Sequence, residues 1–158
     1  MKLTTRGRYA VSAMLDLACH GADGPASLAA ISRRQGISLS YLEQLFLKLR
    51  RGGLVRSVRG PGGGYVLVGS PDTISVADII RAVDEPIRTT PCQGTTEPGR
   101  KAMDQGCQRS SPCIAHDLWV ELGDRIHQFL DSVSLGGLTE AHRRGESLVG
   151  KGTLGRPA

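Results

Sequence analysis

Five consecutive residues, Gly60-Pro61-Gly62-Gly63-Gly64, constrain this chain more than any other stretch. Four glycines around a proline without an N–H cannot continue a helix or a sheet ladder, but they turn tightly. Leu54, Val55, Ser57 and Val58 precede them, and Tyr65, Val66, Leu67 and Val68 follow. Two short runs of strand-forming residues around such a tip predict a β-hairpin. A phosphate-cradling loop of a nucleotide enzyme is excluded, because no Lys-Ser/Thr follows the glycines and no helix opens after them.

Upstream, the apolar period changes from two to between three and four. Thr4 or Thr5 can cap a first helix whose apolar face is Ala10, Val11, Met14, Leu15, Leu17 and Ala18. Cys19, at its end, is expected to be a small buried hydrophobe. Gly21, Gly24 and Pro25 break the chain, and Ser27 starts a second helix that stops at Gly36. Ser38 can cap a third, with Leu39, Leu42, Leu45, Phe46 and Leu49 facing inward. Two short helices around a glycine turn predict a helix-turn-helix. With the hairpin behind them they predict a winged helix-turn-helix, mainly α with a small β-hairpin wing. Ser75 and Asp78 form a capping box for another helix, with Val76, Ile79, Ile80 and Val83 packing back and Pro86 as its end. Residues 1–86 are therefore expected to form one DNA-binding domain.

Residues 87–112 have no apolar periodicity and are expected to be a cysteine-rich, cluster-binding loop, which with the start of the next helix carries a closely grouped ligand set. Cys92, Cys107, Cys113 and His116 are spaced C-x14-C-x5-C-x2-H. Four soft ligands can organise a loop that cannot bury itself, so a metal or iron–sulfur centre is expected, with ordinary loop cysteines or a redox disulfide as alternatives. Ser111 and Pro112 suit the cap and first turn of a long helix, which would place Cys113 and His116 on one face. Ile114, Leu118, Leu122, Ile126, Phe129 and Val133 give that helix an apolar stripe with no later segment to cover it. It is read as a dimerisation helix over 113–138, followed by a disordered tail, 139–158.

Charge divides the chain in two. Residues 1–66 carry ten Lys/Arg against three Asp/Glu, a net +7, whereas residues 67–158 carry a net −2. A basic half points to a polyanion such as double-stranded DNA. No apolar run reaches membrane-spanning length, and the first residues lack the apolar core of a signal peptide, so a cytoplasmic protein with no membrane partner is expected. Cysteines there favour metal or redox chemistry over structural disulfides. No paired carboxylates or nucleophile–base set argues for an enzyme.

The stretches LTTRGRYAVSAMLDLA, QGISLSYLEQLF and LVRSVRGPGGGY, with CQG at Cys92 and HDLW at His116, resemble the IscR family of iron–sulfur-cluster regulators over roughly residues 1–138. The resemblance implies a homodimeric transcription factor holding a [2Fe-2S] cluster on Cys92, Cys107, Cys113 and His116. It further implies mainly repression of cluster-biogenesis genes, activity of the apo form at a second promoter class, and the cluster assembly machinery as donor. A neutral imidazole in place of one thiolate makes such a cluster less negative and raises its potential. Family members have a shorter gap between the first two cysteines. Here fourteen residues separate them, and the longer polar loop costs below about 1 kcal/mol of closure entropy.

On DNA, the third helix is expected in the major groove, led by Ser38, Ser40, Tyr41, Glu43 and Gln44. Gln44 suits adenine, and Glu43 can accept from cytosine. Arg59 should enter the minor groove with Pro61 and Gly62 at the wing tip, while Arg6, Arg8, Lys48, Arg50 and Arg56 lie nearer phosphates. Two rival readings stay open: a related nitric-oxide or iron sensor with another fourth ligand or cluster type, and a zinc-stabilised protein-interaction module.

Overall fold

Small residues let the first helix sit at the centre of the fold. In the computed structural model, which describes residues 5–85 and 114–146, α1 (Thr5–Cys19) buries Gly7, Ala10, Ala13, Met14 and Leu17. α2 (Leu28–Gln35) starts at Ser27, whose Oγ accepts from the Ala30 N–H at 3.2 Å. It ends at Gly36, whose φ of 64° is the left-handed conformation that glycine adopts without strain. α3 (Leu39–Arg51) follows after the buried Ile37, completing the helix-turn-helix.

Leu42, Leu45, Phe46 and Leu49 of α3 are buried against α1 and join one core with Ile31, Val55, Ile79 and Val83. Leu39, expected inward, is 43% exposed. It is the first residue of the helix, a turn ahead of the point where α3 is covered. Ser38 occupies the cap position but makes no side-chain cap bond. Cys19 is also exposed rather than buried, because α1 ends there and its buried face stops at Leu17.

The wing forms as expected. β1 (Val55–Val58) pairs antiparallel with β2 (Gly64–Leu67), placing Val55 opposite Leu67 and Val58 opposite Gly64. Val68 lies beyond the strand and is exposed. Ala26 and Tyr65 exchange both backbone hydrogen bonds, at 3.0 and 2.8 Å, which ties the chain entering α2 to the wing. That approach requires Gly64, since a Cβ there would collide with the Ala26 backbone. Phe46 and Tyr65 pack edge to face with ring centroids 4.8 Å apart, so α3 and the wing share the core.

α4 (Val76–Ala82) opens with the expected capping box: Ser75 Oγ accepts from the Asp78 N–H, and Asp78 Oδ2 accepts from the Ser75 N–H. The helix stops at Ala82, with Val83 as its cap, ahead of Pro86.

Two expectations for the C-terminal part need correction. α5 (His116–Ser132) starts with Ala115 as its cap, later than Ser111 and Pro112 would place it. Cys113, expected to share a helix face with His116, lies outside the described residues. In addition, residues 135–143 form a separate helix, α6 (Leu135–Arg143), where a dimer-helix end and a disordered tail were expected. The break falls at Val133 and Ser134. Val133 O accepts from the Val76 N–H and Ile74 O from the Leu135 N–H, both at 2.9 Å. Leu135 is fully buried in the main core, while Val133 joins Val76 and Ile80 in a second cluster. The extended bridge costs one turn of helix and docks the end of α5 onto the start of α4. Residues 147–158 of the expected tail lie outside the described residues, as does the 87–112 segment.

Candidate nucleic-acid interface and cysteine segment

The residues expected to meet DNA occupy the outer side of α3, the wing and the start of α1. Ser38, Ser40, Glu43 and Gln44 are exposed at the leading half of α3. Glu43 and Gln44 lie three and four residues after Ser40, so these three share a face away from the core residues, with Ser38 at the cap ahead of them. Tyr41 is half-buried, and its ring meets that of Tyr9 edge to face at 5.9 Å. Tyr9 is a partner that the sequence reading missed; its spacing placed it off the apolar face of α1, with no signal that it supports α3.

Arg56, Arg59, Pro61 and Gly62 are exposed on the wing, and Arg6, Arg8 and Arg50 are exposed on α1 and α3. Gly60 and Gly62 take φ of 105° and 73°, a backbone the tip can adopt only with glycine or at a strain cost. Lys48 is differently placed. It is half-buried, and its Nζ donates to Asp84 Oδ2 at 2.9 Å and lies 3.5 Å from the Val83 carbonyl oxygen. That hydrogen bond, then the Lys48 charge and that of Arg6, holds the Asp84 carboxyl below the usual carboxylate range. Lys48 thus joins α3 to the end of α4.

A second charged contact joins α1 to α2. Asp16 of α1 is only 4% exposed and accepts from Arg34 Nη2 at 2.6 Å, from Arg34 Nε at 2.9 Å and from Gln35 Nε2 at 2.9 Å. Burial alone raises its pKa. The hydrogen bonds from Arg34 and Gln35, together with the charges of Arg34 and His20, outweigh that and leave it lowered. A bidentate guanidinium locks α2 to α1 and so fixes the base on which α3 is carried. Nothing in the sequence paired residues eighteen apart on two helices.

Of the cysteine–histidine set, Cys92, Cys107 and Cys113 lie outside the described residues, and His116 is the first residue of α5. Among the described residues no group of three or more His, Cys, Asp or Glu could hold a metal ion, and no helix is long and apolar enough to cross a membrane.

A winged helix with a basic outer face is a fold that many regulators share, and comparison with known proteins narrows it. A family described as Rrf2, iron-dependent transcriptional regulator, matches residues 3–141. The chain belongs to the Rrf2 family. Among its Rrf2 relatives, the HTH-type transcriptional regulator IscR of Aliivibrio salmonicida is 57% identical over 138 residues, covering 87% of this chain and 77% of that one. IscR of Photorhabdus laumondii is 56% identical over 135 residues, covering 85% and 77%. Of solved structures, T. potens IscR superposes with a TM-score of 0.73 at 35% identity, covering 95% of this chain and 94% of that one. CymR, titled the global cysteine regulator of B. subtilis, gives 0.70 at 36% identity, covering 89% and 97%. The winged-helix fold is the one these structures share, and this Rrf2 chain is a DNA-binding transcriptional regulator.

Proposed function

We propose that this regulator senses iron–sulfur cluster supply, mainly repressing cluster-biogenesis genes, and holds a [2Fe-2S] cluster through Cys92, Cys107, Cys113 and His116. The observation that carries the reading is the donor set itself: three thiols and an imidazole within 25 residues, in a chain so similar to regulators named IscR. Three thiolates and one neutral nitrogen suit an iron–sulfur centre that must also be lost, since the histidine is released on protonation. A bound cluster would supply bonds tying the 92–113 segment to the first residue of α5. The assembly machinery would be its donor.

The regulator acts as a homodimer through α5, on whose exposed side Leu118, Leu122 and Phe129 lie. The leading half of α3 reads the major groove, with Glu43 and Gln44 at base edges, and Arg59 enters the minor groove. The C-terminal end of α5 is hydrogen-bonded to the start of α4, and α4 is tied to α3 through Asp84 and Lys48. Cluster binding at the cysteine segment can thereby alter how two recognition helices are spaced.

Protein isolated without oxygen tests this. A visible absorption spectrum with equal iron and sulfide, about two each per chain, is expected, along with different half-site spacing preferences for holo and apo forms. Zinc in place of iron would leave the regulator standing and overturn the sensor. The fourteen-residue gap between Cys92 and Cys107 favours one second reading, a related iron or nitric-oxide sensor with another fourth ligand or cluster type. An unchanged spectrum in His116→Ala would select it.

A further inference from the structure

The outer face of α3 carries two leucines among its polar residues. Leu39 and Leu47 are 43% and 40% exposed, at spacings of four on either side of Glu43. An amphipathic helix buries its leucines, and α3 does so at Leu42, Leu45 and Leu49. The two outward ones stand apart from each other, among exposed Ser38, Ser40, Glu43 and Gln44. Two separated leucines cannot supply the roughly 800 Å² per partner of a stable protein interface. The α5 stripe is the larger apolar face. Apart from Glu43, the exposed charges on α3, α1 and the wing are cationic, with Arg50 and Arg51 at the end of α3, Arg8 on α1, and Arg56 and Arg59 on the wing. The occupant of this face is therefore a polyanion that itself carries apolar groups. In the major groove of DNA, the apolar group on a base edge is the thymine 5-methyl.

We propose that Leu39 is a specificity-determining residue that packs on a thymine methyl group at one position of each half-site. The assignment rests on the DNA-binding reading of α3. Leu39 is chosen over Leu47 because it is the first residue of the helix, and the leading end of a recognition helix is the part that reaches base edges. Its side chain can be changed without opening the core, to which Leu39 does not belong.

The test uses the full-length protein and a duplex carrying its selected binding site, with each thymine replaced in turn by deoxyuridine. That exchange removes one methyl group and preserves every hydrogen bond. Removing a buried methyl corresponds to a loss of about fourfold in affinity. The parent protein is expected to show that loss at one thymine per half-site. Leu39→Ala is expected to be insensitive there, while keeping the parent's salt dependence and its response at every other position. Identical deoxyuridine profiles for parent and Leu39→Ala would overturn the proposal. So would a profile that changes with Leu47→Ala and not with Leu39→Ala, or no deoxyuridine effect anywhere. Absence of any salt-dependent DNA binding by the parent would instead overturn the DNA reading beneath it.

Discussion

α3 and α5 have nearly the same apolar spacing and opposite fates. α3 buries Leu42, Leu45, Phe46 and Leu49 within its own domain, whereas α5 leaves Leu118, Trp119, Leu122 and Phe129 exposed and, among the described residues, joins a core cluster near its C-terminal end. A helical stripe therefore states that a face must be covered and says nothing about the cover. For α3 the cover is α1 together with α2, β1 and α4, whose residues share its core; for α5 the proposed cover is a second copy.

The largest effect that separates the two is at their phenylalanines. Phe46→Ala should cost about 3–5 kcal/mol in denaturant unfolding, the usual range for a fully buried ring. Phe129→Ala should leave the unfolding of the isolated chain almost unchanged and weaken association in sedimentation equilibrium. If both variants unfolded alike, α5 would be packed on its own domain and the contrast would vanish.

Next in size is the pair that joins α1 and α2, a buried Asp16 and a partly exposed Arg34. Arg34→Ala strands the Asp16 carboxylate and should cost about 1–3 kcal/mol, read by thermal or urea unfolding. Because Asp16 has a lowered pKa in the folded chain, its contribution is present above the ordinary carboxylate range and lost as the pH falls through the folded value. Asp16→Asn should therefore flatten the acid limb of the stability profile; an unchanged limb would show that the pair is not a stabilising one.

The smallest effects concern the cations and sharpen the contrast within the proposed DNA face. Arg59→Ala should lower affinity and reduce the slope of log K against log salt by about 1. Lys48→Ala should change that slope less, because Lys48 is engaged with Asp84. Equal slopes for the two variants would place Lys48 on a phosphate after all.

Much of the fold was legible because it depends on local chemistry. The glycine-proline tip, the stop at Gly36 and the Ser75–Asp78 capping box each involve residues within a few positions, whose conformational limits hold in any context. The proposed DNA face was legible only as a set of exposed polar residues on the side opposite a well-marked core. Leu39 and Cys19 were misassigned because position on a helix does not say where the neighbouring helix ends. α6 was missed because its glycines, Gly136 and Gly137, hide a helix that starts only when Ser134 is held by the bridge to Ser75.

By itself, then, the sequence determined the helix-turn-helix, the hairpin, the capped start of α4, the basic half, and the thiol and imidazole groups available for a centre, since these follow from residue type and spacing. Tertiary structure alone decided that Asp16 is paired with Arg34, that Lys48 is engaged with Asp84, that the chain breaks at Val133 and that Leu39 faces outward. Each of these depends on which surfaces approach within a few ångströms across long stretches of chain, and no local spacing encodes that distance.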